Sequence, residues 1–124
     1  MPTRSLTGSV LRWPASAEVL ERAAAWARVQ AAANPDLEGV GVFGSYGRGD
    51  AGVGSDLDLV LVLSRCDLPV WDRLRRWDTS PLPLATDLLV YSRGEWDTLP
   101  DWNPRFADTL KRETHWFVPL PQQG

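Results

Sequence analysis

The chain has 124 residues and a formal net charge of -3, with 44% hydrophobic and 23% charged residues and a mean hydropathy of -0.24. These values suit a globular chain with its own core and argue against global disorder, so one domain over residues 1–124 is expected. No apolar run approaches the roughly 20 residues of a membrane helix, the opening Met1-Pro2-Thr3-Arg4-Ser5-Leu6 has no apolar core of the kind a signal peptide needs, and an acidic chain makes a poor general binder of duplex DNA; a cytoplasmic location is expected.

In chain order, Ser16 is placed to cap a helix running to about Ala33, with Leu20, Ala23, Ala24, Ala27 and Ala31 on one apolar face. Asn34-Pro35 stops it. Val40 to Phe43 reads as a short buried strand closed by Gly44-Ser45, and a glycine-rich stretch follows from Tyr46 to Ser55. Asp56 to Ser64 is the clearest strand. Pro69 to Trp77 has helical spacing, with Val70, Leu74 and Trp77 on one side and Arg73, Arg75 and Arg76 as a solvated face. Leu84 to Tyr91 is a third strand, Gly94 to Leu99 a short helix or turn, Pro104 to Glu113 a helix, and His115 to Val118 an edge strand. Alternating helices and strands imply an α/β (α+β) architecture, a small mixed β-sheet with packed helices.

Cys66 is the only cysteine and His115 the only histidine. That removes an intrachain disulfide, a cysteine or histidine zinc site and a Ser-His-Asp triad. The informative segment is Asp56-Leu57-Asp58-Leu59-Val60-Leu61-Val62-Leu63. Side chains alternate along a strand, so Asp56 and Asp58 share one face with Val60 and Val62. Two unpaired carboxylates at the start of an apolar strand either sit at a wet strand end or bind a cation. Asp87 repeats the anomaly inside Leu84-Ala85-Thr86-Asp87-Leu88-Leu89-Val90. If the two strands are neighbours, three hard oxygen donors converge, a set that suits Mg²⁺ completed by substrate phosphates.

Gly44-Ser45 follows a strand directly and precedes Asp56 by about ten residues. Glycine lets backbone approach a phosphate, while the Ser45 hydroxyl, nearby N–H groups and Arg48 can bind it; a plain turn is the alternative. Gly47-Arg48-Gly49-Asp50-Ala51-Gly52 spells a dinucleotide-binding glycine pattern. No long helix follows it, and no lysine follows to make a P-loop.

Taken together, Gly44-Ser45-Tyr46-Gly47-Arg48-Gly49 and then Ser55-Asp56-Leu57-Asp58-Leu59 resemble the signature of the DNA polymerase β-like nucleotidyltransferase superfamily. Within it, the chain is similar to the minimal nucleotidyltransferase group. Asp87 matches the third carboxylate of the family. The resemblance covers Val40 to Tyr91 and implies transfer of a nucleoside monophosphate from ATP or another NTP to a hydroxyl acceptor, with release of pyrophosphate. It implies that Asp56, Asp58 and Asp87 hold two Mg²⁺ ions and that Gly44, Ser45 and Arg48 bind the nucleotide. Minimal relatives often act with a helical HEPN-type protein as a toxin–antitoxin pair, so an antitoxin-like enzyme that modifies such a partner is expected. A non-catalytic antitoxin acting by contact, and a subunit acting on a small molecule such as an aminoglycoside, are the alternatives.

The chain has seven tryptophans, most of which are expected to serve as core or interface anchors. One or more of Trp96, Trp102 and Trp116 is expected in a contact with a partner or in an oligomer.

Overall fold

The computed structural model describes residues 13–122. Its elements are α1 (Ser16–Ala33), β1 (Leu37–Phe43), α2 (Gly44–Arg48), β2 (Leu57–Leu63), α3 (Val70–Arg73) continued by a 3-10 turn (Leu74–Arg76), β3 (Thr86–Ser92), α4 (Arg93–Trp102), α5 (Pro104–Glu113) and β4 (His115–Val118). The four strands form one sheet in the order β3-β2-β1-β4. β1 pairs antiparallel with β2 and with β4, whereas β2 and β3 run parallel. This is the mixed sheet with packed helices that the sequence pattern implies.

Strand alternation builds two apolar layers. On one face, Val40, Val42, Leu57, Leu59, Leu61 and Leu63 pack against Val19, Ala23, Trp26 and Ala27 of α1 in one cluster. On the other face, Val60 and Val62 are fully buried beneath the α4 and α5 side, which contributes buried Leu99 and Leu110. Phe43 meets Phe106 of α5 edge-to-face at 6.2 Å, and Trp96 meets Trp116 in the same manner at 5.5 Å. Burying each large aliphatic side chain contributes roughly 1.5–3 kcal/mol, which makes β2, covered on both faces, the centre of the stability.

Several expectations need correction. Ser16 is the first helical residue rather than the cap, and no side chain caps the α1 N-terminus. The buried face of α1 is Val19, Ala23, Trp26 and Ala27, because the Trp26 indole reaches over to donate to the Asp78 carbonyl at 2.9 Å. The first strand begins at Leu37, ahead of Val40. The segment after Pro69 makes one α-helical turn and then tightens. Val70 and Leu74 are therefore exposed while Trp77 is buried.

Arg73 leaves the predicted solvated face altogether and is only 7% exposed. Its guanidinium donates to the Leu68 carbonyl at 2.8 Å, the Val90 carbonyl at 2.9 Å and both Glu95 oxygens at 2.6 and 3.0 Å. Arg76 also pairs across the fold, with Asp36 at 2.6 Å, and lies 4.7 Å over the Trp77 ring. Arg75 remains exposed as expected. Among the described residues no helix is long and apolar enough to cross a membrane.

Two stability predictions follow from packing. A Cβ at Gly47 would overlap the Glu113 carbonyl oxygen and come within 2.8 Å of the Val42 carbonyl oxygen, whereas a Cβ at Gly52 meets nothing within 4 Å. Gly47→Ala should lower stability by about 1–3 kcal/mol, and Gly52→Ala should leave it nearly unchanged; equal urea midpoints for the two would refute the packing argument. Arg73→Ala should cost roughly 2–4 kcal/mol, because it strips Glu95 of its cationic partner and orphans two carbonyls. The Arg73 hydrogen bond holds the Glu95 carboxyl below the ordinary glutamate range. A depressed folded-state pKa contributes stability that is present above the unfolded value and lost as pH falls toward the depressed one. Acid titration of the urea midpoint should therefore be shallower in Arg73→Ala than in the parent.

Candidate active site

The site forms where β1 and β2 meet at the sheet end. Phe43, the last residue of β1, is the register partner of Asp58, the second residue of β2. On the other side of β2, Asp58 is the register partner of Asp87 in β3. Adjacent strands lie about 4.8 Å apart, so the two carboxylates stand side by side on the same face. Asp56 precedes β2 and is exposed. Alternation places it on that face too, one step toward solvent. Toward the sheet interior the same face continues as buried Val60 and Val62. Along β2 the acids therefore occupy the end of this face that water reaches.

Gly44 follows Phe43 with φ 67, a left-handed conformation that turns the chain directly into α2. The start of the stretch read from sequence as a glycine-rich loop is thus a short helix that begins at Gly44. A Cβ on Gly44 would overlap Oδ2 of Asp58, so the glycine backbone lies against that carboxylate. Burial is the main reason the Asp58 carboxyl is held above its ordinary range, with the negative charges of Asp87 and then Asp56 adding to it and Arg48 opposing. The three carboxylates are thus brought into mutual electrostatic reach. They do not close into a cage: among the described residues no three His, Cys, Asp or Glu side chains form a group able to hold an ion.

Ser45 lies in the first turn of α2, whose opening N–H groups have no partner within the helix. Arg48 is exposed at the other end, where its guanidinium donates to Asp50 at 3.1 Å and to Glu113 at 3.2 Å. Glu113, at the end of α5, is a neighbour that sequence reading missed. Nothing local in the sequence links it to Arg48, 65 positions away. A hollow of about 210 Å³ borders Asp87 and is lined also by Leu74, Trp77, Thr79, Thr86 and Leu88. His115 and Cys66 lie outside this constellation; Cys66 packs beside the core.

The profile of the nucleotidyltransferase domain matches residues 29–113. The chain belongs to this family. The match spans β1, α2, β2 and β3, and with them every residue of the constellation. A solved structure from Sulfolobus solfataricus, provisionally assigned as a nucleotidyltransferase, superposes with a TM-score of 0.54 at 29% identity, covering 70% of this chain and 83% of that one. No curated protein gives a significant match. General nucleotidyl transfer is therefore the activity of this domain's family, and the mixed sheet of the nucleotidyltransferase fold is its scaffold.

The elevated Asp58 carboxyl carries a sign that can be tested. A folded-state pKa above the unfolded one contributes stability fully present below the unfolded value and lost as pH rises through the folded one. The ionised Asp58 carboxylate thus weakens the fold at neutral pH. Asp58→Asn, which keeps the shape and removes the charge, should raise the urea midpoint at pH 7 by the equivalent of about 0.5–1 kcal/mol. The gain should vanish at low pH. A loss of stability at pH 7 would mean that the Asp58 carboxylate holds the sheet end together.

Proposed function

We propose that this domain is a Mg²⁺-dependent enzyme that transfers a nucleoside monophosphate, AMP from ATP in the simplest case, to a hydroxyl acceptor. The observation that carries the reading is the apposition of Gly44 and Asp58. A phosphate seated on the backbone N–H groups of Gly44 and Ser45 would stand directly against an aspartate. Two anions so close in a partly buried site repel by several kcal/mol unless a cation lies between them.

The donor chemistry suits such a cation, although the three carboxylates by themselves close no cage. Asp56, Asp58 and Asp87 offer hard carboxylate oxygens, and a triad that leaves its cage open suits Mg²⁺, which keeps substrate phosphates and water in its coordination shell. Two ions held by this set are proposed. When bound, the metal neutralises phosphate charge and lowers the pKa of an attacking hydroxyl.

The chain's own groups have separable tasks. Gly44 and Ser45 hold the β and γ phosphates and so fix the α-phosphorus over β2. Asp87, at the outer strand, faces the hollow from which an acceptor hydroxyl would approach, and is placed to take its proton. The acceptor oxygen bonds to the α-phosphorus as pyrophosphate departs. Arg48 would exchange its Asp50 and Glu113 contacts for a phosphate. These are effects of positioning and charge rather than covalent catalysis.

An antitoxin-like enzyme acting on a helical HEPN-type partner, in the cytoplasm, is the biological role proposed. Trp71 and Trp102, 73% and 59% exposed, supply aromatic surface suited to such a contact or to an oligomer. Trp96 and Trp116 are spent largely on each other.

Calorimetry at millimolar Mg²⁺ should show ATP binding, and the complex should melt higher than the free protein by mass action. Asp58→Asn should lower kcat/KM for transfer at least about 100-fold, roughly 3 kcal/mol of lost transition-state stabilisation. A folded parent protein that binds no nucleotide with Mg²⁺ present would refute the enzyme reading.

A further inference from the structure

β3 is an outer strand of the sheet, and its backbone polar groups alternate between its two sides. The Leu57 N–H donates to the Ala85 carbonyl at 3.0 Å. Positions 85, 87, 89 and 91 therefore address β2, and positions 86, 88, 90 and 92 address the open side. The outward side is closed at its far end. Arg73 donates to the Val90 carbonyl at 2.9 Å, and Glu95 accepts from the Ser92 N–H at 2.9 Å. Among the described residues nothing pairs with the outward N–H and C=O of Leu88 or the N–H of Val90.

Two hollows follow this edge. One is the space beside Asp87 already described. The other, also about 210 Å³, is bordered by Val70, Arg73, Val90 and Trp102. Leu74 and Leu88 line both. Each hollow is lined by residues from both faces of β3, so the pair runs along the strand's edge rather than over either face. The open backbone groups sit in the middle of this groove, next in sequence to Asp87.

We propose that an extended polypeptide segment pairs with the β3 edge at Leu88 and delivers a hydroxyl side chain to Asp87 as the nucleotide acceptor. The proposal rests on the nucleotidyl-transfer reading above. The partial charges of the free N–H and C=O groups are complementary to those of another chain's amides at strand spacing. A residue on an added strand opposite Asp87 would lie about 5 Å away on the same face. Leu74, Val70 and Trp102 offer apolar contact for its alternate side chains. Arg73 stops the pairing at Val90, which limits the segment to a few residues and obstructs edge-to-edge pairing of two copies of this chain. In the step, the side-chain oxygen bonds to the α-phosphorus of the NTP. The bond from that phosphorus to the pyrophosphate oxygen breaks, pyrophosphate leaves, and the hydroxyl proton passes to the Asp87 carboxylate.

The test uses blocked heptapeptides Lys-Val-Ala-X-Ala-Val-Lys, with X serine, threonine or tyrosine, and the full chain. Amide hydrogen exchange without nucleotide reads docking alone, and exchange at Leu88 and Val90 should slow about tenfold with at least one peptide. With Mg²⁺ and α-labelled ATP, the same peptide should take up label. A version N-methylated at its central amides should do neither. Leu88→Pro, which lacks the outward N–H at an edge position that tolerates proline, should abolish protection at Val90 while its circular dichroism matches the parent. Should Leu88→Pro fail to fold, the N-methylated peptide still decides. Unchanged exchange with every peptide, or equal labelling of the N-methylated peptide, overturns the proposal. Concentration-dependent self-association lost in Leu88→Pro overturns it in favour of a second copy. Protection without ATP binding instead defeats the nucleotidyl-transfer reading and leaves the docking edge standing.

Discussion

The parallel pairing of β2 with β3 is the constraint on which the site depends. Antiparallel neighbours can be joined by a tight turn, but parallel ones need a long crossover. Here the crossover leaves at Ser64 and returns at Ala85, carrying α3, the 3-10 turn and Trp77. Only this connection sets Asp87 beside Asp58 in register. It also leaves β3 as an outer strand, so that one carboxylate of the pair stands on an inner strand and the other on the sheet's edge. In the proposed transfer reaction this asymmetry would separate two approaches, with phosphates at the β1–α2 turn and an acceptor at the strand edge.

The acids are tolerated because the fold pays for them elsewhere. Val60, Val62 and the leucines of β2 are buried on both faces, and that apolar mass offsets the desolvation and repulsion at Asp58. The left-handed Gly44 belongs to the same arrangement. Any side chain at Gly44 would press on the carboxylate, and the chain could not turn so tightly into α2. Gly47 works differently. Its missing side chain lets α2 sit against the Val42 and Glu113 carbonyls, a packing role within a sequence that reads as a phosphate loop.

Much of this was legible in the amino-acid pattern. Asp56 and Asp58 stand out because acids interrupt an apolar alternation, and the end of α5 and the whole of β4 follow from helix spacing and proline punctuation. The pairing of Asp58 with Asp87 was not decidable from sequence, because register between distant strands is a tertiary fact. Arg73 misled for the same reason. In a run with Arg75 and Arg76 it looks like one more solvated cation, and only the fold brings Glu95 and the Val90 carbonyl to it. Val70 and Leu74 failed as core residues because one helical turn is too short to present an apolar face. The extra residues at the start of β1 were hidden by Glu38 and Gly39, neither of which resembles a strand former.

Glu95 serves three structures at once. It binds both nitrogens of the Arg73 fork, accepts from the Ser92 N–H, and with Ser92 forms the capping box that starts α4. The crossover, the end of β3 and the first turn of α4 therefore share a single carboxylate. None of the three can fray without breaking hydrogen bonds in the other two, so they form one cooperative unit in local unfolding. The strand that carries Asp87 is held by a cluster of hydrogen bonds outside the site, so anchoring its far end does not fall to the Asp87 carboxylate.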